Sequence, residues 1–337
     1  MRSVDVDSRA IPAAEEVRAA FERAVRFLLS RQLESGELPM HVSGDRLMRV
    51  SRRDPTPFAT TFAIEAFRVA DTGDVAGAIR NAQNFLLGEM EPGARWRYWR
   101  VRPDRAIPAD ADDTACASVA LRGSGTETAG VLAANRETLL RHRDPAGRFY
   151  TWFGVAPPRN DVDSVVNANV ARYLGDGPAT QGAIDFVIDL LEHGREENSH
   201  RYYVDDLALY HAVARAGATV GRFEQASRLL APRILARLER GDVAGSDLLT
   251  ALALSALLRV DGVSSEQPRR ALVERLLERQ GADGGWACEA FYAGPPPPGP
   301  LTVWFGSREL TTALGVEALG LFVRRPAHPF TARGSPV

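Results

Sequence analysis

Three aspartates, Asp110, Asp112 and Asp113, fall within four positions and are followed by Thr114 and Ala115. Carboxylates this close repel one another, so at least one pKa rises, and burial raises it further. A carboxyl group that keeps its proton in a dry place can protonate an isolated alkene. The cluster opens a helical pattern, and the positive end of a helix favours the ionised form. A division of labour follows: one or two aspartates accept backbone hydrogen bonds while a third stays protonated, and the group titrates as a unit. Plain helix capping by Asp110 or Asp113 is the simpler alternative. Cys116 lies four residues after Asp112, on the same helix face.

A carbocation formed by such an acid needs stabilisation without a nucleophile, and aromatic faces provide it. Trp99, Trp152, Tyr203 and Trp304 each stand just upstream of a helical pattern and are the candidate cavity walls. Asp163, Asn167 and Asn169 open another helix as a polar stripe, suited to orienting Asp112, placing a water or holding Mg²⁺. Phe58 and Thr61 open a third, and Arg308 with Glu309 opens the last. Arginine clusters at 49, 52, 53 and at 95, 97, 100, 102, 105 can grip a diphosphate or an aryl carboxylate. The chain has no lysine and no glycine-rich phosphate loop.

The elements that must position these residues are helical. About twelve apolar periodicities of three to four residues span 13–31, 57–71, 75–89, 111–123, 127–142, 162–174, 179–193, 203–216, 222–240, 245–259, 266–280 and 308–323. No convincing strand is visible. Long connections follow the first, third, fifth and eleventh helices and emerge at one end if consecutive helices run antiparallel. Six hairpins then make an all-α α/α toroid, with the even helices inside. An internal repeat supports it. Gln32…Gly36…Leu38, Glu89…Gly93…Trp96, Arg143…Gly147…Phe149 and Gln280…Gly284…Trp286 share a polar residue, a turn glycine and an apolar or aromatic residue.

Gln280 to Trp286 resembles the glutamine–tryptophan (QW) repeat of the squalene–hopene and terpenoid cyclases. Asp110-Ala-Asp112-Asp113-Thr-Ala resembles their Asp-x-Asp-Asp (DxDD) acid motif. With room for a single domain, the chain most resembles the monodomain class II terpene cyclases, including those acting on prenylated aromatics. The resemblance implies that Asp112 donates the proton, with Asp110 and Asp113 in support. It implies an isomerase-type intramolecular cyclisation of a linear isoprenoid, a prenylated aromatic or a prenyl diphosphate. No cofactor is required, and Mg²⁺ enters only with a diphosphate substrate.

Bulk composition bounds the rest. A net charge of −2 gives no field suited to nucleic acid. Two cysteines, Cys116 and Cys288, make no disulfide framework. No leader and no membrane-length apolar run is visible, so the expectation is a cytoplasmic protein with at most transient membrane-surface contact. Residues 13–324 read as one α/α-barrel domain between flexible termini, 1–12 and 325–337. Three alternatives share the toroid. One is a non-catalytic lipid- or protein-binding barrel. Another is a zinc-dependent prenyltransferase-like subunit using Asp283, Cys288 and His328. The third is a sugar-processing barrel pairing Asp112 with Asp163.

Overall fold

The computed structural model describes residues 14–71, 74–99, 107–125, 127–260, 265–295 and 301–325. Thirteen helices lie within them: α1 (Ala14–Arg31), α2 (Phe58–Ala70), α3 (Val75–Gly88), α4 (Ala111–Leu121), α5 (Glu127–Arg141), α6 (Ser164–Leu174), α7 (Gln181–Glu192), α8 (Asp206–Ala216), α9 (Gly221–Ser227), α10 (Leu230–Glu239), α11 (Asp247–Arg259), α12 (Gln267–Arg279) and α13 (Arg308–Arg324). Helices α2, α4, α6, α8, α11 and α13 each pack on the next, and α13 returns to α2, closing an inner ring. The outer helices pack against this ring, and α1 covers α13. The fold is the α/α toroid that the helical hairpins imply. Of the proposed tails 1–12 and 325–337, all but Arg325 fall outside the described residues, and the Arg325 N–H bonds the Phe322 carbonyl at 3.3 Å.

Residue size explains which helices go inside. On α4 every residue but Cys116 is buried, and alanine, serine and threonine dominate, so neighbours can approach on all sides. Helix α1 buries only one stripe, Val17, Ala20, Phe21, Ala24, Val25, Phe27 and Leu28, as an outer helix should. No helix among the described residues is long and apolar enough to cross a membrane.

Two sequence expectations need correction. The single helix over 222–240 is split into α9 and α10. Pro232 lacks an N–H and its ring crowds the carbonyl of Arg228, which breaks the helix there. Strands also exist: β1 (His41–Ser43), β2 (Arg52–Arg53), β3 (Tyr292–Gly294) and β4 (Val303–Gly306) form an antiparallel sheet in the order β2-β1-β4-β3. It joins the first long loop to the last. Strands of two to four residues carry too little alternation to be read locally.

The repeated frame ties the rings together. Gly36, Gly93, Gly147 and Gly284 all take positive φ, between 80° and 92°. The amides of Gln32 and Gln280 donate to the carbonyls of Gly36 and Gly284 at 3.1 and 3.0 Å. They also reach the next outer helix, at Ala78 and Ala20. The backbone N–H two or three residues beyond each glycine donates into an inner helix. Leu38, Trp96 and Trp286 bond the hydroxyls of Thr60, Thr114 and Thr312, and Phe149 bonds the amide oxygen of Asn167.

The ends of the ring differ. In the C-terminal halves of the inner helices, Glu65, Arg172, Arg215, Arg259 and Glu317 form a buried ion network. Burial opposes the charge on Glu65, but Arg172, Arg215 and Arg68 overcome it and hold its pKa at about 2. Removing one partner strands the others, which typically costs about 3–5 kcal/mol.

Two outcomes test this description. A Cβ on Gly284 would stand 2.4 Å from the carbonyl oxygen of Arg23, whereas Gly130 on α5 has nothing within 4 Å. In chemical denaturation Gly284→Ala therefore loses more than about 1 kcal/mol and Gly130→Ala gains about 0.5–1 kcal/mol. Because the folded pKa of Glu65 is about 2 against an ordinary 4.5, its stabilisation is complete above 4.5 and fades as pH falls toward 2. Glu65→Gln should be less stable than wild type at neutral pH, and the gap should narrow on acidification when unfolding is followed by circular dichroism.

Candidate active site

At the opposite end, where the inner helices begin, a cavity of about 560 Å³ opens beside the three aspartates. The backbone of the acidic segment is pinned between two long loops. Asp110 N–H donates to Trp96 O at 3.0 Å, Ala111 N–H to Thr151 O at 2.8 Å, and Phe153 N–H to Ala109 O at 3.0 Å. Asp110 then caps α4, its Oδ1 accepting the N–H of Asp113 at 2.7 Å.

Burial sets the protonation of this cluster. It lifts Asp110 to about 7, against the hydrogen bonds from Asp113. Burial and then the charge of Asp110 push Asp113 well above the ordinary range, which favours its neutral form. Asp112 is also raised by burial, and three donors oppose the rise. Tyr203 OH reaches its Oδ2 at 2.6 Å; Asn169 Nδ2 reaches Oδ1 at 2.8 Å; Cys116 Sγ stands 3.9 Å from Oδ1. Among the described residues none of the three aspartates has an arginine as ion-pair partner.

Tyr203 is itself fixed. His200 Nδ1 lies 2.9 Å from the Tyr203 carbonyl, and Nε2 lies 2.6 Å from Asp206 Oδ1. Burial works against charge on His200, but Asp206 and the carbonyl outweigh it and raise its pKa.

The remaining walls are aromatic. Phe58 at the start of α2, Trp99, Trp152 and Tyr203 all line the cavity. Tyr98, Trp99 and Phe305 meet edge to face at 5.1–5.6 Å between ring centroids. Phe58 meets Tyr292 in the same manner at 4.8 Å. The indole N–H groups are hydrogen-bonded: Trp99 donates to Asp54 at 2.6 Å, and Trp152 donates to Tyr202, another lining residue, at 2.8 Å. The hydroxyls of Tyr98 and Tyr292 and Oδ1 of Asp113 are buried without a hydrogen-bond partner among the described residues.

Five expected site residues lie elsewhere. Thr61 bonds back to the Phe58 carbonyl at 2.7 Å. Asn167 clamps the N–H and carbonyl of Phe149, a structural role. Asp163 caps α6, accepting from Val165, Val166 and Arg201. Its pKa is raised to about 6 by burial, which outweighs the N–H groups it accepts from. Trp304 falls on the other face of β4 from Val303 and Phe305, because alternate strand residues point oppositely. The Arg308 guanidinium lies over Phe27 of α1 and pairs with Asp283 at 2.8 Å, and Arg308 does not line the cavity. Conversely, Tyr98, Tyr292 and Phe305 belong to the lining and were not selected. Recognising β4 as a strand would have chosen 303 and 305 over 304.

The rivals fare unequally. His328 lies outside the described residues, and Asp283 is engaged by Arg308. No group of three or more His, Cys, Asp or Glu side chains among the described residues is arranged to hold a metal ion. Asp163 is not part of the cavity wall, so it does not face Asp112 across a sugar-sized cleft. Arg49, Arg53 and Arg97 pair with Asp45, Glu37 and Glu91. Arg100, Arg102 and Arg105 lie outside the described residues.

No protein-family model and no curated protein matches the chain. Solved structures do. A protein from Actinoplanes superposes with a TM-score of 0.73 at 20% identity, over 90% of this chain and 99% of that one. A variant of the type II terpene cyclase MstE from Scytonema, in complex with its substrate geranylgeranyl dihydroxybenzoate, gives 0.71 at 19% identity, over 93% and 99%. A possible member of the GH105 family from Salmonella enterica gives 0.58 at 12% identity, over 94% and 96%. The chain therefore has the α/α toroid fold, which it shares with solved structures that include the type II terpene cyclase MstE.

Proposed function

We propose that this chain is a class II terpene cyclase, a single α/α-barrel domain in which Asp112 protonates the terminal alkene of a linear isoprenoid. The observation that carries the reading is the buried trio of aspartates with raised pKa values beside an aromatic-walled chamber. Burial keeps the Asp112 proton in place until substrate arrives. The donors Tyr203, Asn169 and Cys116 then stabilise the carboxylate that proton transfer leaves behind, which makes Asp112 a stronger acid than burial alone would allow.

The alkene π electrons take the Asp112 proton, forming a C–H bond and a tertiary cation. Neighbouring alkenes attack in turn and close rings; loss of a proton from carbon to solvent ends the sequence, and solvent returns a proton to Asp112. The product is an isomer of the substrate. Phe58, Trp99, Trp152 and Phe305 line the path, and a desolvated aromatic face is worth about 2 kcal/mol to a nearby cation. A volume of about 560 Å³ suits a lipophilic chain. The substrate class is a prenylated aromatic acid or a prenyl diphosphate, and MstE holding geranylgeranyl dihydroxybenzoate makes the former the first to try.

The test is an incubation in heavy water with geranylgeranyl dihydroxybenzoate and with farnesyl and geranylgeranyl diphosphates, followed by mass spectrometry. One of them should yield a cyclic isomer carrying a carbon-bound deuterium. Asp112→Asn should lower the yield by at least about 100-fold. Equal product from Asp112→Asn, or cyclisation without deuterium uptake, would refute the role of Asp112.

A further inference from the structure

The chain that runs from β2 into α2 reads Arg53-Asp54-Pro55-Thr56-Pro57-Phe58. Two prolines fix φ at 55 and 57 and restrict the residues before them, so the segment is stiff. It is also anchored. Arg53 pairs with Glu37 at 2.5 Å, the Asp54 N–H donates to the Met40 carbonyl at 2.8 Å, and the Thr56 hydroxyl accepts the N–H of Phe58 at 3.2 Å. Asp54 is wholly buried and does not line the chamber. Its Oδ2 accepts the indole N–H of Trp99 at 2.6 Å, a short bond, as bonds to an ionised acceptor are. Burial, and then the charges of Asp54 and Asp113, oppose ionisation of the Tyr98 hydroxyl. The Asp54 carboxylate thus lies near both rings of the Tyr98–Trp99 pair, which meet edge to face at 5.2 Å and both line the chamber.

Other indoles find neutral acceptors. Trp96 and Trp286, buried in the repeated frame, donate to the carbonyls of Leu86 and Leu276 at 2.8 and 2.9 Å. Trp152, also on the chamber wall, donates to the Tyr202 hydroxyl, which donates in turn to Asp161 at 2.7 Å, so the charge stands one bond further off. Burying a carboxylate is costly, and a neutral carbonyl satisfies an indole N–H. The charge at Asp54 therefore does something that a structural bond does not require.

We propose that Asp54 is a positioning residue that acts through Trp99: its carboxylate aims the indole and makes the ring more electron-rich, so that Trp99 holds a carbocation in the chamber more tightly than Trp152 does. Donation to a negative acceptor polarises the indole and pushes electron density onto its ring, and the attraction of a cation grows with the negative potential of the face. The inference rests on the cyclase reading for the identity of the cation, but not on Asp112 as the proton donor.

Two measurements on the full chain test it without turnover, so they read separately from the cyclisation assay. In resonance Raman spectra, the indole band sensitive to hydrogen bonding is isolated by subtracting Trp99→Phe from wild type. It should report a strong acceptor and shift toward weaker bonding in Asp54→Asn. Decyltrimethylammonium, a fixed cation on an apolar chain, should bind the chamber. By calorimetry Asp54→Asn should weaken that binding about threefold or more and leave the binding of 1-decanol unchanged. In the Trp99→Phe background, Asp54→Asn should make no further difference. Trp99→Phe should cost more ammonium affinity than Trp152→Phe, a comparison that stands even if Asp54→Asn does not fold. An unshifted Raman band, no binding of the ammonium ion, equal losses for ion and alcohol, the same loss with Trp99 replaced, or equal costs for the two tryptophan variants would overturn the proposal.

Discussion

The structure turns on how carboxyl groups are buried. At the start of α4, Asp110, Asp112 and Asp113 are taken out of water where, among the described residues, no arginine compensates them. Their proton affinity rises as a result. Donors meet Oδ1 of Asp110 and both oxygens of Asp112, namely a backbone N–H, Tyr203 and Asn169, while Oδ1 of Asp113 has no partner among the described residues. Everything nearby serves to hold that helix start in place. The backbone of the Trp96 loop pins it on one side, the loop carrying Thr151 pins it on the other, and α6 supplies Asn169.

The same ring treats carboxylates in opposite ways at its two ends. Glu65 and Glu317 are just as buried, yet arginines surround them and both remain ionised. Helices that carry small residues along their middles can close tightly, leaving the axis to be filled by charge at one end and by a chamber at the other. Arg215 bridges the two halves of the network, and its guanidinium lies 5.4 Å from the ring centroid of Phe62 on α2. The far end thus holds its carboxylates ionised, and the near end favours the neutral form.

Much of this was legible in the chain and some was not, for physical reasons. Helical periodicity and the glycine-turn frame identified the toroid, since both are local signals. Asp112, Trp99, Trp152, Tyr203 and Phe58 were placed on the cavity because they sit at or just before inner-helix starts. Trp304 and Asn167 satisfied the same rule and failed it. Trp304 lies in a short strand paired with Ala293 on one side and with the distant Ser43 on the other, and that sheet decides which face it takes. Asn167 was drawn to the backbone of Phe149. Arg308 found Asp283 before it could turn inward. Glu65, Arg172, Arg215 and Glu317 were overlooked, although a lone charge on an otherwise apolar helix is a signal of buried pairing.

The central claim is that a carboxyl group stays neutral in this chamber at a pH where an exposed aspartate is ionised. Infrared difference spectroscopy reads that state directly, through the C=O stretch of a protonated carboxyl group. The account predicts such a band in the wild-type protein near neutral pH, diminished in Asp112→Asn and in Asp113→Asn. A spectrum with only ionised carboxylate at that pH, unchanged by either substitution, would contradict it.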